Sequence, residues 1–443
     1  MSLHNELELV NDFAPIDNLS RFQQNIPAEW IEEALNATGT ASIRTRKLPA
    51  EQVVWLVLGM GLFRDRSIQD LSDKLNIVLP DREAGTEQVA PSAVVQARAR
   101  LGSDPLRYLF LSSAQAWCQH DNRDDFCGLK LLSVDGTLFQ TPDSADNVAT
   151  FGCLNNVKGF TDAFPSVRLV ALLSVHSHLL WDVAFGSCRE GEIRYAEQLV
   201  GSAPAQSLTL FDRCYFSAEL LLSWQQQQRD SHWLIPLKTK VRHTVIKQFS
   251  AHDCLIEMPI SPQAREQHPH LPLVWRARMV TYKEPKGPIK GFLTSLLDPE
   301  KYPTTELLRV YWQRWEIEEG YGEIKTKQLR NEVVLRSQTA KGIQQELWGI
   351  LLAYNILRLE ISRIASEANT TPQRISFIMA LRYIQDEFMW LSIASPGTIP
   401  TKLRQLRENV KRFIIPERKR PSKPRAVRTS RHRYPILEKP KRA

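Results

Sequence analysis

The stretch 311–325, YWQRWEIEEGYGEIK, constrains this chain more than any other. Read as one helix, it places Tyr311, Arg314, Glu318 and Lys325 at i, i+3, i+7 and i+14, on one face roughly four turns long. One carboxylate therefore shares a stripe with two cations and a phenol. Trp312, Trp315 and Ile324 fall on the opposite edge, which suits a core or a stacking surface. A carboxylate that can hold a hard cation, beside groups that can hold phosphate, is what phosphodiester cleavage asks of a helix. The plainer alternative is a solvated face laced with i,i+3 and i,i+4 charge pairs. Partner carboxylates elsewhere in the chain decide between the two.

Two such partners stand at the ends of apolar runs. The run in GLKLLSVDGTLFQTPDS stops at Asp135-Gly136 and predicts a buried strand ending in a carboxylate. The segment SLTLFDRCYFSAELLLSWQQQ predicts a strand ending at Asp212, followed by a helix. Between them, VRLVALLSVHSHLLWDVAFGS predicts two strands joined by a turn near 176–177. Taken singly, Asp135 would serve as a turn residue and Asp212 as a helix cap. Taken together, strands that each deliver an aspartate fit ligands gathering at one end of a central sheet.

Tyr-x2-Arg-x3-Glu-x6-Lys at 311–325, VDGT at 134–137 and DRCY at 212–215 resemble the three motifs of bacterial cut-and-paste transposases of the insertion-sequence-four family. The resemblance covers most of the chain and implies an α/β, ribonuclease-H-like catalytic core. It implies that Asp135, Asp212 and Glu318, 77 and 106 residues apart, form an acidic triad holding two Mg²⁺ or Mn²⁺ ions. It further implies that Tyr311, Arg314 and Lys325 bind phosphates near the cleaved DNA end. Cleavage would pass through a DNA hairpin and finish by strand transfer. Cys214 departs from the glycine usual in the second motif, which bears on the backbone after Asp212. The family also carries an aromatic residue that stacks on a flipped base, and PIKGFLTSLLD offers Phe292 at the matching place, with Trp233 and Trp275 elsewhere in the same region.

The remainder of the chain divides around that core. Residues 1–120 read as a helical DNA-binding region, with candidate helices at 27–37, 50–63, 67–75, 91–101 and 105–119. SIQDLSDKLN and PSAVVQARARLG resemble the two helices of a helix-turn-helix, which would offer Gln96, Arg98 and Arg100 to DNA, although the connection 77–90 is longer than usual. The catalytic core is assigned to 121–340. Within it, 231–300 alternates short apolar runs with proline and glycine and reads as a β-rich insertion. A helical region follows at 341–416.

No apolar run reaches membrane-spanning length, and the acidic start MSLHNELELVNDF is unlike a signal peptide, so a cytoplasmic, nucleoid-associated protein without membrane contact is expected. Six scattered cysteines without a C-x2-C pair predict reduced thiols. The expected partners are DNA, as terminal inverted repeats and target, and a second copy of the chain in a homodimeric DNA complex. Two other functions fit the residues: a metal-dependent endonuclease that cuts without joining, and a DNA-binding repressor with a degenerate core.

Net charge becomes informative once located. Residues 417–443 hold eleven Lys or Arg against two acids, a net of +9, while the whole chain is +8, so residues 1–416 carry about −1. So basic and proline-rich a segment has too little apolar surface to fold alone and suits a polyanion. Deleting 417–443 is expected to weaken binding to all DNA sequences alike and to flatten the slope of log affinity against log salt. An unchanged slope would mean that the segment does not touch DNA.

Overall fold

The structure, a computed structural model, describes residues 26–41, 48–74, 90–119, 125–154, 164–238, 241–283, 289–331, 334–391 and 408–415. The basic segment 417–443 and most of the 77–90 connection lie outside the described residues. Among the described residues five helices come first: α1 (Ala28–Ala37), α2 (Ala50–Leu62), α3 (Ile68–Lys74), α4 (Pro91–Leu101) and α5 (Asp104–Gln119). Then β1 (Lys130–Gln140), α6 (Ala145–Phe151), β2 (Ser166–Ser174), β3 (Leu180–Ser187), α7 (Glu192–Gln198), β4 (Ser207–Phe211), α8 (Ala218–Gln227) and β5 (Ser231–Pro236) form the centre. A meander of β6 (Thr244–Ser250), β7 (Asp253–Pro259), α9 (Pro262–Gln267), β8 (Val274–Lys283) and β9 (Ile289–Thr294) follows. The chain then turns helical as α10 (Thr304–Tyr311), α11 (Glu316–Gly322), α12 (Ala340–Glu367) and α13 (Phe377–Leu391).

The nine strands among the described residues belong to one mixed sheet, in the order β3-β2-β1-β4-β5-β9-β8-β7-β6. β1 is antiparallel to β2 and parallel to β4, and β4 is parallel to β5. The strand 231–236, expected at the start of the insertion, is therefore part of the central parallel set. The meander continues the sheet through β5 and β9 and does not form a separate layer. The reason is that β5 has an unpaired edge once β4 is in place, and an antiparallel strand satisfies its backbone groups.

Side-chain alternation sets which helices cover which face. Along β2, Val167, Leu169, Ala171 and Leu173 enter the core shared with α2, α5 and α12, while Val170 and Leu172 enter the core under α7 and α8. Both faces are covered, which is why β2 reads as a continuous apolar run. The N-terminal helices share the first core. Val53 to Leu62 pack with Ile343 to Ala365, and Gly61 meets Gly349 so closely that a Cβ on Gly61 would lie 2.6 Å from the Gly349 carbonyl oxygen. Two buried polar ties reinforce the contact: Arg64 with Glu346, and Arg98 with Gln345. Among the described residues no helix is long and apolar enough to cross a membrane.

Candidate active site

The register of the parallel strands places the two aspartates. Leu132 pairs with Thr209 and Val134 with Phe211, the last pair of the ladder. Asp135 and Asp212 are the next residue on each strand, so they emerge at the same level where β4 ends. β1 does not stop at Asp135 as its sequence predicts; it runs on to Gln140, held by antiparallel pairing with β2. The apolar run ends there because β4 no longer covers that side, not because the strand ends.

The third acid comes from the helical rod 304–328. This rod is not one uniform helix: Trp312–Trp315 is wound as a 3-10 turn and Glu323–Gln328 as a π-helical turn. Tighter winding at 312–315 sets Arg314 inward, 7% exposed, while Trp312 and Trp315 are 40% and 48% exposed. Arg314 then forks across the site. Its Nη1 donates to Asp135 Oδ2 at 3.2 Å and its Nη2 to Glu318 Oε1 at 3.2 Å. Its Nε is buried without a hydrogen-bond partner, and Trp315 lies over the guanidinium at 5.1 Å. Burial opposes the guanidinium's charge, but Tyr311, Asp135, Asp212 and Glu318 together more than offset it and raise its pKa.

Asp135 is raised to about 6, first by burial and then by the like charges of Glu192 and Glu318, against the pull of the Gly136 N–H and Arg314. Tyr321 supports the strand from below, its hydroxyl donating to the Asp135 carbonyl at 2.6 Å. Tyr311 is buried, packed on Phe292 at 4.3 Å, and its hydroxyl donates to the Phe211 carbonyl at 3.4 Å. Burial is the main cause that raises its pKa. Lys325 is half-buried and sits over the Phe139 ring at 5.1 Å, its pKa lowered by burial.

The structure thus gathers Asp135, Asp212, Glu318, Tyr311 and Arg314 at one sheet end, with Lys325 beyond them on the π turn. Phe292 lines the cavity beside them but is 3% exposed, sandwiched between Tyr282 and Tyr311. That cavity, about 920 Å³, is also walled by Asp212, Arg213, Lys238, Lys290, Trp312 and Trp315. Trp233 and Trp275 are core residues. On α4 the two arginines diverge. Arg98 turns inward to Gln345 and Ser337, whereas Arg100 stays exposed. Cys118, Cys188 and Cys254 are buried, Cys127 and Cys214 exposed, and none of the six is in a disulfide.

Three residues near the site carry no motif signal. Tyr321 and Glu192 touch the aspartate strands. Glu323 anchors the π turn: it accepts from the Tyr354 hydroxyl at 3.0 Å and pairs with Arg358 at 3.4 Å and His178 at 3.5 Å. Burial would raise Glu323, but Arg358, His178 and Lys327 override it and hold the carboxyl at about 2.

The donors suit a hard divalent cation. Asp135, Asp212 and Glu318 offer carboxylate oxygens, the ligand type of Mg²⁺ and Mn²⁺ and not of thiolate-seeking metals. Two of them already share one positive group, the Arg314 guanidinium. As placed, no three His, Cys, Asp or Glu side chains among the described residues stand as a chelating group, and the Arg314 guanidinium bridges Asp135 and Glu318.

Comparison with known proteins is consistent along the chain. Residues 16–111 match the family described as insertion element 4 transposase N-terminal, and residues 127–356 match the transposase DDE domain. The transposase InsG for insertion sequence element IS4 of Escherichia coli (strain K12) is 35% identical over 441 residues, 99% of each chain. The putative transposase InsZ of the same organism is 34% identical over 250 residues, 56% of this chain and 82% of that one. A piggyBac transposase synaptic complex with hairpin DNA overlaps 91% of this chain and 86% of its own at 12% identity, with a TM-score of 0.39, too low to carry a fold assignment.

Proposed function

Since the chain belongs to the DDE transposases of the insertion-sequence-four family, we propose that it cleaves DNA at the ends of an insertion sequence and joins the freed ends to target DNA, by way of a hairpin. The observation that carries this reading is the convergence of Asp135 and Glu318 on Arg314, with Asp212 emerging beside Asp135 at the end of β4. The proposed core, 121–340, is ribonuclease-H-like: three antiparallel strands, then two parallel ones, with both faces covered by helices.

Asp135, Asp212 and Glu318 would hold two divalent cations, Mg²⁺ or Mn²⁺. When bound, such ions acidify the attacking water or 3′-hydroxyl and stabilise the leaving oxygen of an in-line displacement. The chain's own groups then bind and orient the DNA. Arg314, with a fork that fits a phosphate as well as a carboxylate, moves from the two acids to a phosphate of the cut end. Tyr311 orients that phosphate from the cavity wall, and Lys325, seven residues beyond Glu318 on the π turn, supplies a point charge for a neighbouring phosphate. Arg213, Lys238 and Lys290 give the cavity wall the positive charge a phosphate backbone needs. The helices of 1–120, with Arg100 facing outward, would read the terminal inverted repeats. The basic segment 417–443 would add sequence-independent contacts, and two copies would meet in the DNA complex, 341–416 contributing to their contact.

The test is to incubate the purified protein with Mg²⁺, a labelled DNA carrying the element's end and a supercoiled target. Cleavage, a hairpin on a denaturing gel and labelled target are expected. Cleavage without joined product would identify an endonuclease, and binding with neither product a repressor.

A further inference from the structure

We propose that Glu192 is a positioning residue of this site, locking the strand that bears Asp135 to the turn that follows Asp212. The proposal rests on the reading of Asp135 and Asp212 as a metal-holding pair. Glu192 opens α7, directly after β3, and its side chain reaches back over β1. The approach is so close that a Cβ on Gly136 would lie 2.6 Å from the Glu192 carboxyl carbon, and the three nearest atoms are all from Glu192. Gly136 sits in ordinary extended strand, so the requirement for glycine there is space for this carboxylate and not backbone freedom.

Both oxygens of Glu192 are engaged. Oε2 accepts from the Tyr215 hydroxyl at 3.2 Å and the Cys214 thiol at 3.7 Å, both on the 3-10 turn Arg213–Tyr215 that directly follows Asp212. Oε1 accepts from Arg168 Nη1 at 2.7 Å, and Arg168 also donates to the Cys188 carbonyl. One carboxylate thus bears on the residue after Asp135 and on the second and third residues after Asp212. Strand pairing cannot do this, because the β1–β4 ladder ends at Val134 and Phe211. Arg168 balances the charge of Glu192 and fixes its rotamer, as outer partners do for metal-holding carboxylates. Cys214 fits the same arrangement: where a glycine would offer no side-chain donor, the thiol adds a weak one to Glu192 beside the Tyr215 hydroxyl.

The experiment measures Mn²⁺ binding to the full chain by calorimetry and the unfolding temperature without metal. Glu192→Gln keeps the volume and one acceptor oxygen but loses the charge and the second acceptor, so it can no longer hold both Tyr215 and Arg168. It is expected to weaken Mn²⁺ binding about tenfold with little change in unfolding temperature, and Glu192→Asp to recover part of the loss. Gly136→Ala should reproduce the Glu192→Gln defect by displacing the side chain. The double variant Gly136→Ala, Glu192→Ala should bind no more weakly than Glu192→Ala alone, since the same contact is lost once. Wild-type Mn²⁺ affinity in Glu192→Gln, or a lowered unfolding temperature with unchanged affinity, overturns the assignment. Asp135→Ala and Asp212→Ala are measured alongside. If they too bind Mn²⁺ like wild type, the metal-holding pair itself is wrong and this proposal falls with it; if they lose binding and Glu192→Gln does not, only the role of Glu192 fails.

Discussion

Asp135→Ala, Asp212→Ala and Glu318→Ala are each expected to abolish Mg²⁺-dependent strand cleavage. The loss should exceed the roughly 100-fold that removal of an outer partner of a metal ligand costs. Folding should survive all three changes. Asp135 is partly exposed within β1, Asp212 partly exposed just past the end of β4, and Glu318 lies on the outer side of its helix, so none of the three fills core volume. In the metal-free protein, Asp135 is pushed up by burial and by neighbouring acids, so its ionised form adds nothing to stability. Removing it should change the unfolding temperature little, since loss of the Arg314 contact offsets relief of the buried charge. Binding to an end fragment in the presence of a chelator should also persist, because it depends on cations elsewhere. Single-turnover cleavage of an end substrate decides the matter: one of the three variants cutting at near wild-type rate would remove that residue from the triad.

How much of this was readable beforehand depends on the range of each contact. Local pattern carries the strands and helices: the apolar runs at 130–134 and 207–211 and the apolar face of α12 are signals within a few residues of one another. The motif spacing carried the acidic and basic groups of the rod. It could not carry the winding. A 3-10 turn at 312–315 and a π turn at 323–328 are imposed by what packs against the rod, including the buried Glu323, Arg358 and His178 network, whose members are 35 and 145 residues from Glu323 in sequence. Arg98 was misplaced for a related reason. On α4 alone it looks like Arg100, a cation on a polar helix. Only the arrival of α12 and the Ser337 turn, some 240 residues later, provides Gln345 and Ser337 to draw it inward.

Glu192 was illegible for the same kind of reason. REGEIRY reads as a charged helix start, and nothing near it in sequence signals Gly136, Cys214 or Tyr215. The glycine of VDGT was the available clue. A glycine inside a strand marks close approach of another group, and that group is the Glu192 carboxylate. The apparent anomaly of Cys214 in the second motif meets the same carboxylate. The alternation at 231–300 signals strands but not their partners: 231–236 joins the parallel set beside β4, because a strand's partner is set by the edge left open beside it and not by its own composition.

The second large effect is expected at Arg314. Lysine in its place keeps the charge but not the fork, and the fork is what spans Asp135 and Glu318 in this structure and a phosphate in the proposed complex. Arg314→Lys should lose about a hundredfold in single-turnover cleavage, the scale of removing one positioned donor from a transition state. Lys325→Arg should stay within about tenfold of wild type, since a guanidinium stacks on Phe139 as readily as an ammonium does and still presents a positive charge. The two variants also separate grip from chemistry. In the DNA-free protein Arg314 is hydrogen-bonded to Asp135 and Glu318, so on the proposed reading Arg314→Lys should bind Mn²⁺ at least as tightly as wild type while cutting far more slowly. Raising Mg²⁺ should therefore not restore its cleavage. Rescue of either variant by excess metal would place its side chain in support of the ions, and the division of labour between phosphate-holding cations and metal-holding acids would have to be abandoned.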